Sequence, residues 1–260
     1  MKRRTYFYKD ELNDEFSGVV RNTIDVDEHY VYDHKNIFWK IAEFFVYRIV
    51  MTPAAYLYLK IKYNAKFVNK KVLNQNKKQP IFLFGNHTML PGDGYIPTAI
   101  MFPKKCNEIV NADNVSLNGT KTFMKMVGAI PIPNKISGMR NYTNFLESCV
   151  NKKRCVAIYP EAHVWPYYTK IRPFTYSSFK YPVIYNTPVY CFTTTYQKKN
   201  KSENPKITVY VDGPFYADKN LLKKEASIKL RDEVYRAMVE RSKCSTYEYN
   251  VFKKSGDKNE

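Results

Sequence analysis

From Pro80 onward, short apolar runs rich in β-formers alternate with longer stretches in which apolar residues recur every three or four positions. The short runs are Ile81 to Phe84, Glu108 to Asn111, Ala129 to Pro133, Val156 to Tyr159, Val189 to Thr195 and Ile207 to Val211, and each predicts a strand. Helices are predicted after the first strand, near Lys121 to Val127, across Gly138 to Val150, and from Asn220 to about Ser242. In the last of these Leu221, Leu222, Ala226, Leu230, Val234 and Met238 recur on one face. Strand and helix alternate as they do in an α/β fold.

Upstream, Ile37 to Leu59 is the most hydrophobic stretch, yet Lys40, Glu43, Arg48 and Pro53 interrupt it. It lacks the roughly 20 apolar residues that a membrane-spanning helix needs. Ile37, Ile41, Phe44, Phe45 and Ile49 recur at helical spacing, with Lys40, Glu43 and Tyr47 largely on the other side, so the segment predicts an amphipathic helix. Such a helix either lies in a bilayer interface or packs its apolar stripe on the domain core. The chain therefore divides into an N-terminal arm (1–36), an amphipathic membrane-associating helical element (37–60), an α/β domain (61–245) and a polar C-terminal tail (246–260).

Charge sharpens the question of partners. With 42 Lys and Arg against 24 Asp and Glu the formal charge is +18, which suits nucleic acid, an anionic bilayer or phosphorylated small molecules. Lysine is spread along the chain without a block of five like charges, so a merely solvated basic surface is the competing reading. The five cysteines are scattered and form no C-x-x-C pair, which speaks against zinc or redox chemistry and fits a reducing cytoplasm. Lys2, Arg3 and Arg4 lead into Tyr-Phe-Tyr-Lys-Asp-Glu rather than an apolar run, so no secretory signal is visible and an intracellular protein is expected.

Ionisable groups gather where predicted strands end. The first strand runs into Gly85-Asn86-His87-Thr88-Met89-Leu90-Pro91-Gly92-Asp93, and another into Tyr159-Pro160-Glu161-Ala162-His163-Val164-Trp165. Between them lies Met126-Val127-Gly128-Ala129-Ile130-Pro131-Ile132-Pro133. Ligand sites of open α/β sheets form at such junctions. Taken singly, Glu161 could cap a helix, and His163 could contact substrate, cap a turn or pack against Trp165.

The order of these three junctions resembles the lysophospholipid acyltransferase superfamily, whose motifs read approximately N-H-x-x-x-x-D, G-x-I-x-I-x-R and F-P-E-G-T-R. The resemblance spans roughly residues 62 to 245. Asn86-His87 with Asp93 matches the first motif, Gly128 to Asn134 the second, and Tyr159-Pro160-Glu161 the third; Pro188 to Phe192 resembles a looser fourth element. Five residues separate His87 from Asp93 where the family usually has four, and neither spacing puts the pair on one helical face, so a Pro91-Gly92 turn must return Asp93 to the imidazole. Asn134 and Val164 stand where the family carries arginines.

The resemblance implies a mixed, mainly parallel sheet flanked by helices, behind an N-terminal membrane-facing element. It implies an O-acyltransferase of phospholipid biosynthesis in which His87 is the general base and Asp93 orients it. No serine or cysteine nucleophile is evident beside the pair, so the acceptor hydroxyl attacks the donor directly. Asn86, Gly128, Glu161 and His163 are expected to bind substrate or shape its site, and Arg172 to replace the missing phosphate-binding arginines. The expected donor is acyl-CoA or an acyl-carrier protein, and the expected acceptor a lysophospholipid, 1-acylglycerol 3-phosphate first. No cofactor, metal or nucleic acid is expected, and the expected location is peripheral, on an anionic membrane surface at the cytoplasmic face of the cell membrane. Two rivals stand: a different lipid acceptor such as an aminolipid, and a catalytically silent basic protein binding membrane or nucleic acid.

Overall fold

The computed structural model describes residues 3–18, 24–116, 121–200 and 202–256. In chain order the principal elements are β1 (Thr5–Tyr8), α1 (Ile37–Phe45), α2 (Thr52–Tyr63), β2 (Lys66–Val68), β3 (Ile81–Gly85), α3 (Ile96–Met101), β4 (Cys106–Val110), α4 (Lys121–Met126) and β5 (Ala129–Pro131). They continue as α5 (Met139–Asn151), β6 (Cys155–Ile158), α6 (Lys180–Tyr185), β7 (Val189–Lys199), β8 (Ser202–Phe215), α7 (Lys223–Ser242) and β9 (Val251–Lys254). Each strand expected beyond Pro80 is present.

Seven strands form one sheet in the order β2-β8-β7-β3-β6-β4-β5, and β7 with β8 is its antiparallel pair, so the sheet is mixed and mainly parallel. All five residues of β3 are buried, as an unbroken apolar strand between parallel neighbours should be. Its alternate side chains feed two cores. Leu83 packs with Leu59, Tyr63, Ile100 and Val209 on one face, and Phe82 and Phe84 pack with Tyr142, Leu146, Leu230 and Val234 on the other. Gly85 closes β3 without a side chain because the Phe192 ring of β7 lies where one would be, its nearest atom 2.1 Å from an ideal Cβ position.

From β3 the chain steps to β4 and β5, returns through β6 to a place beside β3, and crosses to β7 on the other side. The crevice at the C-terminal ends of β3 and β6 is thus the switch point at which open α/β sheets bind ligands.

Two segments differ from their reading in the sequence. The arm carries β1, which pairs in parallel with β9, and residues 246–256, read as a polar tail, supply that strand and the buried Tyr249. Neither strand was legible because each is four residues long and depends on the other. In the amphipathic element, α1 continues through a π-turn (Val46–Met51) into α2, with Pro53 tolerated in the first turn of α2. The helix faces the domain with its polar side. Tyr47 is 2% exposed and its hydroxyl accepts from the Cys106 N–H at 2.9 Å, while Glu43 pairs with Lys105 at 2.5 Å. The apolar stripe faces outward instead, with Phe38 at 78% exposure and Ile37, Ile41, Phe44, Phe45 and Ile49 all exposed. Packing of that stripe on the core is therefore ruled out. No described helix is long and apolar enough to cross a membrane.

Candidate active site

His87 leaves the C-terminal end of β3, and the next seven residues double back. The Asp93 N–H donates to the Met89 carbonyl at 2.8 Å and the Tyr95 N–H to Gly92 at 2.9 Å, so Pro91 and Gly92 form the tight turn that the spacing required. The turn delivers Asp93 to the imidazole, with Nδ1 and Oδ2 2.7 Å apart. A charge-assisted bond of that length is roughly twice as strong as a neutral one. The same oxygen accepts from the Met89 N–H at 2.9 Å, which fixes the carboxylate before it meets the ring. Asp93 is buried, and burial pushes its carboxyl above the ordinary value while His87 and the Met89 and Thr88 amides oppose the rise.

Tyr159 at the end of β6 completes this corner. Its ring stacks on the imidazole with centroids 4.6 Å apart, and its hydroxyl donates to the Asp93 carbonyl at 2.5 Å. With Nδ1 held by Asp93, Nε2 is the ring nitrogen left for a ligand in the cleft that His87 lines. That cleft has a volume of about 580 Å³, within the range of small-molecule sites.

Glu161 and Arg172 lie beneath the site, with no side-chain exposure at all. One Glu161 oxygen accepts from the His87 N–H and the other from the Arg172 N–H, each at 3.0 Å. The guanidinium sits 3.5 Å from that carboxylate, donates to the carbonyls of Glu11, Glu161 and His163, and stacks on Trp165 at 4.9 Å. Burial pushes the Glu161 carboxyl up and Arg172 down, and their mutual attraction opposes both shifts. The Arg172 side chain has no exposure to the cleft, and its Nη1 and Nη2 are already bonded to protein while Nε is buried without a described partner. The expectation that it replaces the missing arginines in holding a phosphate is therefore corrected: Arg172 is a buried strut that ties the β6 loop together. Glu161 likewise has both oxygens engaged, by the backbone amides of His87 and Arg172.

The other expected binders divide. Asn86 is buried and clamps β3 to β7 through two bonds with Thr194, at 3.1 and 2.8 Å. Gly128, at φ 97°, passes so close to the Cys106 carbonyl that a Cβ would lie 2.9 Å from it, and it does not line the cleft. His163 does line the cleft, its Nδ1 3.1 Å from the Glu15 carboxylate.

No protein-family profile and no curated protein sequence matches the chain. Among solved structures it is similar to the crystal structure of PlsC, the 1-acyl-sn-glycerophosphate (LPA) acyltransferase from Thermotoga maritima. The TM-score is 0.53 at 13% identity, covering 82% of this chain and 86% of that one. The chain shares the fold of PlsC.

The likeness to PlsC concerns the path of the backbone, and the roles of individual side chains rest on the geometry given above. At the two positions where the sequence motifs lack arginine, the N-terminal arm takes hold. Asn134 accepts from the Val26 N–H at 2.9 Å and donates to the Ile24 carbonyl at 2.8 Å. The Val164 carbonyl accepts from the Phe16 N–H at 3.1 Å, and the Trp165 indole donates to the Asp14 carbonyl at 2.7 Å. The arm thereby carries Glu15 and Ser17 into the cleft wall. Glu108 at the same wall is held up to about 8 by burial and by the nearby charge of Asp93.

Sequence reasoning missed Tyr159, Glu15 and Glu108 as site residues. Tyr159 replaces the phenylalanine of the third motif, and a carboxylate inside the apolar run of β4 was a visible anomaly. Glu15 gave no signal, since only the folded arm brings it to the site.

Proposed function

We propose that this protein transfers a fatty acyl group from a thioester, acyl-CoA or an acyl-carrier protein, to a lipid hydroxyl, with His87 as general base. The observation that carries the proposal is the 2.7 Å bond from His87 to the buried Asp93 at the sheet's switch point. That bond fixes the tautomer with the proton on Nδ1, leaving Nε2 basic toward the cleft. The acceptor hydroxyl gives its proton to Nε2 as its oxygen attacks the thioester carbonyl. The tetrahedral adduct then expels the thiolate, which takes the proton back from the imidazolium. Asp93 stabilises that cation and does not itself become protonated. Among the described residues no serine or cysteine bonds to His87, which favours direct attack over an acyl-enzyme.

The class of acceptor follows from the charge of the cleft. Among its described lining residues there is no Lys or Arg, whereas Glu15 supplies a carboxylate and Glu108, held up to about 8, a carboxyl that keeps its proton. A phosphomonoester such as 1-acylglycerol 3-phosphate would meet no fixed cation there. The cleft favours a lysolipid whose head carries no net negative charge, in keeping with the loss of the motif arginines. The exposed stripe of α1 supports peripheral attachment at a membrane surface, where such lipids reside.

Mass spectrometry of the lipids formed by purified protein from one thioester and a panel of acceptors tests the reading. The expected result is an acylated lysolipid matched by free thiol, with neutral or zwitterionic acceptors preferred. Absence of both products from folded protein would favour the silent binding protein instead.

A further inference from the structure

At the opposite end of the sheet, far from His87, basic residues scattered in sequence come together. Lys77-Lys78 precede β3, Lys104-Lys105 precede β4, and Lys152-Lys153-Arg154 precede β6, and these three strands are parallel neighbours. Their leading loops are tied edge to edge. The Lys104 ammonium donates to the carbonyls of Gln79 and Lys153 at 2.8 and 2.7 Å, and the Ile81 N–H donates to Arg154 at 3.2 Å. The loops enclose a cavity of about 840 Å³ in which ten of seventeen lining residues are Lys or Arg and none is Asp or Glu.

Two of the ten are neutralised by carboxylates, Lys105 by Glu43 and Lys152 by Asp33. Two more, Lys70 and Lys104, spend their protons on backbone carbonyls. Arg48, Lys71, Lys77, Lys78, Lys153 and Arg154 make no ion pair with any described carboxylate. Crowding is felt: burial holds Lys70, Lys104 and Lys105 below the ordinary lysine value, with Arg154 adding to the effect on Lys105 and Lys153 to that on Lys104. An anion in the cavity relieves that repulsion.

The floor and rim are apolar where they meet α1. Ile81, Ile100 and Met101 lie under the cations, and the exposed Phe102 ring stands 5.8 Å from the Arg48 guanidinium. Arg48 belongs to the π-turn that continues α1, and Ile49 beside it is part of the outward apolar stripe. The cavity mouth and the stripe are thus one continuous surface. The donor is a poor occupant. His87 lies six positions beyond Ile81 in this cavity, about 20 Å of extended chain, and the packed sheet lies between.

We propose that this cavity is a headgroup site for an anionic phospholipid, occupied while the α1 stripe rests in the same membrane leaflet. The proposal rests on the reading of α1 as a membrane-lying helix and gives that surface its lipid selectivity. Cations lining a half-open cavity, beside an apolar stripe able to lie among acyl chains, match an amphiphile with a charged head.

The test compares the full chain with a variant in which the exposed Lys77, Lys78 and Lys153 are replaced by Gln, once thermal melting shows that the variant folds. Should it not fold, the pair Lys71→Gln and Lys77→Gln takes its place. Vesicles of phosphatidylcholine with and without phosphatidylglycerol report on membranes, and dihexanoylphosphatidic acid below its micellar concentration reports on the cavity without a membrane. The expected result is at least an approximately tenfold loss of affinity for phosphatidylglycerol vesicles and for the monomeric lipid, with neutral vesicles bound as before. Undiminished preference for phosphatidylglycerol in a folded variant overturns the site. Inorganic pyrophosphate bound as tightly as the monomeric lipid overturns the lipid assignment in favour of a soluble phosphate ligand. Saturable, lysine-dependent binding of the monomeric lipid without adsorption to any vesicle supports the cavity while overturning the membrane-lying reading of α1.

Discussion

The two ends of the central sheet are built from the same strands and differ in almost every physical respect. At the C-terminal ends of β3 and β6 the cleft holds no described Lys or Arg, and its acidic and histidine residues are few and partly buried, with His87 held by the buried Asp93. At the N-terminal ends ten cations share one cavity, half of them exposed and six without an ion pair to any described carboxylate. A base must sit in one tautomer at one place, which demands a fixed partner such as Asp93, whereas attraction of an anionic surface needs only charge within a Debye length. The formal charge of +18 therefore describes the second region and says nothing of the first. The lesson is that a basic sequence need not have a basic active site.

The largest effect is expected at the first end. His87→Ala leaves only binding and polarisation, and single-turnover transfer falls by about 10² to 10⁴ with the melting curve unchanged. Asp93→Asn should fall in the same range.

Next comes stability. Arg172→Met strands the buried Glu161 carboxylate and destabilises the protein by about 3 kcal/mol in denaturant unfolding. A loss confined to phosphorylated acceptors, with stability intact, would restore Arg172 to the substrate site.

Smaller and more specific is Glu15→Lys, which puts a cation into the cleft. Specificity constants should shift toward 1-acylglycerol 3-phosphate by about fivefold relative to an uncharged lysolipid, the worth of one exposed charge pair. An unchanged ratio would separate Glu15 from the acceptor.

The last effect concerns pH. Glu108 sits at about 8 in the folded protein against an ordinary 4.5, so the native state retains a proton that the unfolded chain loses. Its contribution is intact below pH 4.5 and is lost as pH rises through about 8. Glu108→Gln should flatten that decline in a pH series of thermal melts, and equal slopes in both proteins would contradict the assignment.

How much of this the sequence carried differs by region. The strands beyond Pro80 were legible because buried parallel strands are written as unbroken apolar runs, and β3 is the clearest case. The meeting of His87 and Asp93 was legible only as a requirement, since the Pro91-Gly92 turn had to exist for the pair to form. Arg172 was misplaced because proximity in sequence to the third motif does not distinguish a side chain aimed at a ligand from one aimed at Glu161. The outward turn of the α1 stripe was beyond sequence, because periodicity finds two faces and cannot say which one the core accepts. The cationic cavity was equally hidden: pairs and triplets of lysine, each unremarkable alone, converge only when three parallel strands start side by side. The arm over the cleft depends on contacts such as Asn134 with Val26, 108 positions apart.

The separation of the two ends is tested most directly by one side-by-side measurement of acyl transfer to a soluble short-chain acceptor, away from any membrane. His87→Ala is compared with the protein in which Lys77, Lys78 and Lys153 are replaced by Gln. The account predicts that the first loses about 10² or more of the rate while the lysine variant keeps that of the unaltered protein. A folded His87→Ala protein that transfers at near the original rate, or a lysine variant that fails as badly, would contradict it.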